Sequence, residues 1–240
     1  MSAETLIFVI SMIIVVANSK GGVGKSTIAV HLAGHLSEQG YSVTLADCDA
    51  QGSSSGWIVE AAPKVKAVRL TSPDDILNKL PGLGKEADFV IADGPGSDAE
   101  TSRALLLRAD FAIVPCKASM LEVRALAQAT EVLRQAQDIR EGHPKAVIAL
   151  SMVGKNYRLT GEMKKAAADL KLPLAKTVVS LRQIYADAPG QGALVWRLGS
   201  RGREAADEIR SLFRELLPER RKAKKGKAPK TRAVATRRKR

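Results

Sequence analysis

KGGVGKST, residues Lys20 to Thr27, decides how this chain folds. Gly21, Gly22 and Gly24 permit backbone conformations closed to other residues, so consecutive amide N–H groups converge on anionic oxygens. Lys25 supplies a cation for the β and γ phosphates of a nucleotide, and the Ser26 hydroxyl at the start of the next helix is the expected Mg2+ ligand. The whole stretch is therefore assigned to nucleotide binding: Lys20, Gly21, Gly22, Val23, Gly24, Lys25, Ser26 and Thr27. The common template, GxxxxGK followed by Ser or Thr, asks for glycine at position 19. The chain has Ser19 there, and a second lysine, Lys20, precedes the glycines.

Outward from this loop the chain alternates strand and helix signals. Upstream, Leu6 to Ala17 is apolar except for Ser11, too short to cross a bilayer and without the basic flank of a secretory signal. It reads as a buried first strand from about Ile13 to Ala17, with residues 1–11 as an N-terminal extension. Downstream, a helix runs from Lys25 to Gly40, carrying Ile28, Leu32 and Leu36 at helical spacing. Strands are expected at Tyr41 to Ala46, Ala67 to Leu70, Phe89 to Ala92, Phe111 to Pro115, Ala146 to Ser151 and Thr177 to Val179. Helices are expected near 73–80, 98–108, 120–140, 160–171 and 201–217. Short, β-branched apolar strands separated by helices imply an α/β fold, a mostly parallel twisted sheet with helices on both faces.

In such a sheet a ligand sits at the carboxyl ends of the strands, and carboxylates fall there. The second strand ends in Asp47, Cys48, Asp49, Ala50, Gln51, Gly52, and the apolar FVIA ends in Asp93, expected to hold Mg2+ through water. Two lysines around GGVG, then DCDAQG, then FVIADGPG, then RADFAIVPCKAS from Arg108 to Ser119 together resemble the ParA/MinD family of deviant Walker A ATPases, closest to ParA-type partition ATPases. The resemblance covers roughly residues 12–217 and implies a P-loop NTPase domain there. It implies that Lys20 reaches across an ATP-sandwich homodimer to the partner's phosphates and is catalytic together with Lys25 and Asp49. Asp49 would orient the attacking water, and Asp47 would join Ser26 and Asp93 around the metal. The chain departs from the family's DxDPQG in having Ala50 for proline, and DGPG is a variant of the loop after Asp93.

Charge separates the chain into two parts. Of the net +13, the segment Pro218 to Arg240 carries twelve Lys/Arg and one acid, a net of +11, so the body is nearly neutral. This segment lacks apolar periodicity and is expected to be a disordered basic tail. If about six of its charges engage DNA, the log–log salt slope is about −5. Anionic lipid is the other surface such a tail suits. Arg182, in TVVSLRQIYADAPGQG, matches a ParA arginine that contacts DNA without sequence preference, and Arg197, Arg201 and Arg203 either extend that surface or form an ordinary solvated face. Ile209, Leu212, Phe213, Leu216 and Leu217 make one apolar face of the last helix, which serves either the core or, as in MinD, a membrane.

Cys48 and Cys116 read as buried thiols in a reducing cytosol, and His31, His35 and His143 form no metal cluster, the first two falling at surface or half-buried positions. Aromatic residues make up only 4%, which argues against a base-stacking platform. The resemblance therefore implies a cytoplasmic, nucleoid-associated ATPase using ATP and Mg2+, dimeric with ATP, bound nonspecifically to DNA and released by hydrolysis. It would act in plasmid or chromosome partition or cargo positioning with a ParB-like or other adaptor. A MinD-like membrane-surface ATPase is the alternative; a metabolic ligase on the same loop finds no second catalytic constellation in this sequence.

Overall fold

In the computed structural model the described residues are 11–118, 120–154, 165 and 167–217; side chains 120–125 and 127–129 are outside that set. Residues 1–10 of the expected extension 1–11 and the tail 218–240 lie outside it, as does most of the helix expected at 160–171. Among the described residues six strands form one parallel sheet in the order β3-β2-β4-β1-β5-β6. They are β1 (Met12–Val16), β2 (Val43–Asp47), β3 (Lys66–Arg69), β4 (Phe89–Asp93), β5 (Phe111–Lys117) and β6 (Lys145–Ser151). β1 lies between β4 and β5, so the chain leaves β1 where the strand order reverses and a crevice opens.

Alternation along each strand builds two cores. Ile14 and Val16 face α1 (Lys25–Glu38) and α2 (Ser53–Ala61), with Leu45, Ile91 and Ile113 on the same side. Ile13 and Val15 face the opposite layer, where Ile76 and Leu80 of α3 (Pro73–Glu86) and Leu105 of α4 (Ala99–Leu106) meet Ala46 and Val90. Leu126 and Leu133 of α5 (Met120–Ile139) cover β5 and β6 on that second face. On the first face α6 (Gln183–Gly190) and α7 (Arg203–Leu216) complete the layer, and Ile209, Leu212 and Phe213 of α7 are buried. The apolar face of the last helix is thus core.

Three expectations need correction. Thr177 to Val179 is not a strand: the segment touches β6 and its end through single bridges, Ile148 with Leu174 and Val153 with Ser180. Its Lys176 and Thr177 N–H groups donate to the Glu215 carboxylate of α7 rather than to a ladder. Secondly, α3 does not stop at Leu80 but continues through Pro81 to Glu86. Proline has no N–H for the Leu77 carbonyl one turn earlier, and the Arg108 guanidinium donates to that oxygen instead, at 3.0 Å. Thirdly, His31 is neither at the surface nor half-buried; it is wholly enclosed. Cys48 and Cys116 are buried free thiols, as expected.

Candidate nucleotide site

Gly24 adopts the left-handed conformation, φ 86°, that turns the glycine loop into α1, and Gly22 is also left-handed at φ 67°. Hydrogen bonds to β5 and β6 brace the loop. Asn18 donates from Nδ2 to the Pro115 carbonyl at 2.6 Å and accepts from the Lys20 N–H at 2.9 Å. Ser151 Oγ donates to the Val23 carbonyl at 2.6 Å. Neither residue carries a motif, so sequence reasoning missed both; their signal is only that Asn18 follows β1 and Ser151 ends β6. Lys117, the last residue of β5, brings Nζ within 4.0 Å of where a Cβ would stand on Gly22.

Lys25 Nζ folds back over the loop and donates to the Lys20 carbonyl at 2.9 Å. Burial holds its pKa below the usual lysine value, with Asp93 and then Asp49 pulling the other way. On the opposite side the DGPG segment closes over the loop: a Cβ on Gly96 would lie 3.3 Å from the Gly21 Cα and 3.7 Å from Lys25 Nζ. Glycine is what permits that approach.

The carboxylates converge at the ends of β2 and β4, where Asp47 and Asp93 are register partners. Both are fully buried. Asp47 accepts from the Asp49 N–H at 3.2 Å and the Ser55 N–H at 2.8 Å, so its two oxygens are engaged by the turn that follows it. Both Asp93 oxygens lack a hydrogen-bond partner among the described residues. Burial, assisted by Asp47, pushes the Asp93 carboxyl up to about 6 against the pull of the nearby Ser26 and Ser54 hydroxyls and Lys25. A buried carboxylate without a donor, next to a serine at a helix start, is a donor set for a hard cation. Asp49 lies at the rim, its Oδ1 accepting from the Gln51 N–H at 3.0 Å.

These groups open on a cleft of about 740 Å3 lined by the glycine loop, Asp49, Gln51, Gly96, Met152, Leu181, Arg182 and Tyr185. The cleft suits a nucleotide, with a basic, glycine-lined end for phosphates and apolar Met152, Leu181 and Tyr185 in its walls. It brings Arg182 beside the nucleotide site, which the sequence did not predict. Arg182 is only 20% exposed, held by Glu204 and by Glu208 at 2.6 Å, which raise its pKa further, Glu208 foremost. The other arginines expected at a DNA surface do not line the cleft. Arg197 pairs with Glu38 at 2.8 Å, Arg201 with Asp187 at 3.3 Å, and Arg203 is exposed at the start of α7. Lys20 does not line the cleft either; its carbonyl accepts from Lys25 Nζ.

His31, missed as a structural centre, ties this wall together. Its Nε2 accepts from the Val195 N–H at 3.1 Å, so Nδ1 carries the proton and donates to the Thr27 carbonyl at 2.7 Å. Trp57, Trp196 and Tyr185 present ring edges at 5.2, 5.3 and 5.9 Å.

Residues 14–195 match the model of the CobQ/CobB/MinD/ParA nucleotide binding domain. The chain is 33% identical over 210 residues to the maintenance of carboxysome distribution protein A of Halothiobacillus neapolitanus, covering 85% of this chain and 95% of that one. It is 26% identical over 148 residues to protein ParA of Rhizobium radiobacter, covering 61% and 67%. Among solved structures, the ATP complex of a Cyanothece McdA variant superposes with TM-score 0.69 at 18% identity, over 86% of this chain and 96% of that one. The MinC:MinD complex of Aquifex aeolicus gives 0.65 at 15%, over 88% and 99%.

Proposed function

The chain belongs to the CobQ/CobB/MinD/ParA nucleotide-binding family and is a ParA-family ATPase of the partition and positioning kind, and on that premise we propose that it dimerises on ATP, binds DNA without sequence preference and is released by hydrolysis. ATP with Mg2+ is its nucleotide. The observation that carries the reading is the sharing of one cleft by the phosphate loop and Arg182, which gives nucleotide binding a direct way to reposition a DNA-contacting arginine. Lys25 and the loop amides hold the phosphates, and Lys20 meets the phosphates of a second copy. Asp49, at the rim, orients water.

The donor set fits Mg2+: Asp93 offers two buried oxygens without donors, and Ser26 stands beside it. The metal there would offset the charge that gathers on the phosphate oxygens during transfer. The relative matched across nearly its whole length is named for carboxysome distribution, which supports a large protein assembly as cargo; in this proposal an adaptor links that cargo to the DNA-bound ATPase and stimulates hydrolysis. A MinD-like membrane role has less support, because the last described helix buries Ile209, Leu212 and Phe213 in the core.

The test is DNA affinity for the full chain and for a version ending at Pro218, each with ATP and Mg2+, with ADP and without nucleotide. The shortened chain is expected to bind DNA with ATP alone. Equal binding in every state by the full chain, and none by the shortened one, would make the tail a constitutive tether and refute the switch.

A further inference from the structure

We infer that Arg69 is a positioning residue for hydrolysis, a guanidinium clamp that fixes the turn carrying Asp49; the inference rests on the role given to Asp49 above. Asp49 to Gly52 form a tight turn closed by the Gly52 N–H on the Asp49 carbonyl at 3.0 Å. Ala50 occupies the second position, where a proline would preset φ and stiffen the turn. Among the described residues its N–H makes no hydrogen bond, and the Gly52–Asp49 bond closes the turn around it without engaging its own amide.

Arg69 supplies the pin from outside. As the last residue of β3 it is in register with Asp47, which places its side chain across the strand ends from the turn. Its Nη2 donates to the Ala50 carbonyl at 2.8 Å and reaches the Asp49 carbonyl at 3.4 Å. The guanidinium lies against Gly52, where a Cβ would stand 2.9 Å from Arg69 Cζ. Gly52 is left-handed at φ 69°, so glycine serves both the turn and the clamp. Among the described residues no carboxylate pairs with Arg69. With Asp47 accepting the Asp49 N–H on the inner side, the turn is held from both flanks, and the Asp49 carboxylate, tied back to the Gln51 N–H, inherits that fixed frame.

Small displacements of a positioned group cost rate far more than binding, up to about a hundredfold for 1 Å. Arg69→Ala is therefore expected to lower single-turnover ATP hydrolysis by roughly tenfold while ATP affinity, read with a fluorescent analogue, stays within about twofold. The discriminating variant is Ala50→Pro. Proline at that position removes no hydrogen bond and stiffens the same turn, so Arg69→Ala/Ala50→Pro should regain most of the lost rate. A role for Arg69 in the sheet alone predicts no such rescue. Normal hydrolysis by Arg69→Ala beside an inactive Asp49→Ala, or a loss that Ala50→Pro leaves untouched, overturns the clamp and spares the role of Asp49. Full activity in Asp49→Ala overturns both.

Discussion

A histidine buried with both ring nitrogens hydrogen-bonded is fixed in one protonation state, and His31 is such a residue. Protonating Nε2 would set two donors, the ring and the Val195 N–H, against each other. Burial is the larger cause that takes its pKa from 6.5 down to about 4, against the opposing bond to Thr27. At this site the folded protein then binds fewer protons than the unfolded chain between those values, so the stability His31 contributes is intact above pH 6.5 and is lost as pH drops toward 4. The full gap is worth roughly 3 kcal/mol. His35, one turn on, shifts in the same direction, through burial and then Arg210. Asp93, raised to about 6, acts in the opposite sense over part of this range, so the reading is a difference: between pH 7 and 5 the urea midpoint of His31→Gln should fall less, or rise more, than that of the unsubstituted protein, whatever its absolute stability. An equal slope in both proteins would mean that His31 does not supply the proton linkage. None of this was legible in the sequence, because a histidine at helical spacing says nothing about the aromatic residues at 57, 185 and 196 that fold around it. The phosphate loop was legible because its chemistry depends on consecutive residues. The bracing by Asn18 and Ser151 was not, since it exists only once β5 pairs with β1 and β6 with β5.

At the scale of elements, strands showed in the sequence where burial on both sides demands unbroken apolar runs, as in Ile13 to Val16 and Phe89 to Ala92. Two helices did not show. α2 opens with three serines and a glycine, poor helix formers, and is held by Trp57, Ile58 and Ala61 packing into the core of the first face. α6 is eight residues ending in Pro189 and Gly190, which read as breakers. The expected strand at Thr177 failed for a different reason: Ala175 and Val179 do donate to carbonyls of β6, but the Thr177 N–H between them goes to Glu215 of α7 and interrupts the ladder. α7 is therefore a clamp as well as a cover, and its apolar face belongs inside. Phe213, 1% exposed, should cost about 3–5 kcal/mol when replaced by alanine. Denaturant unfolding measures that loss. A Phe213→Ala protein of near-native stability that no longer sediments with anionic vesicles would instead mark the helix as a membrane contact.

Across the whole molecule, the sequence located the charge correctly but not its availability. Nearly all the net positive charge lies beyond Pro218, and within the domain Arg182, Arg197 and Arg201 are each matched to a carboxylate. Arg182 is the most constrained, since Glu208 also takes the Ser180 N–H at 3.2 Å and hydroxyl at 2.9 Å, anchoring the segment that forms a wall of the nucleotide cleft. For Arg182 to meet a DNA phosphate, the phosphate must replace these carboxylates, and a cleft that closes on ATP is the event able to shift that balance. Glu208→Gln weakens the competitor and should tighten DNA binding by about fivefold, the equivalent of roughly 1 kcal/mol for a partly exposed charged hydrogen bond. Removing any negative charge also favours DNA, so the comparison is Asp207→Asn, an exposed neighbour on the same helix with the same change in charge. Measured at one salt concentration, greater tightening by Glu208→Gln than by Asp207→Asn, lost again when Arg182→Ala is added, identifies the carboxylates as the restraint on this arginine. Equal tightening by the two variants would place the DNA contact elsewhere, with the exposed Arg203 the nearest remaining candidate on α7.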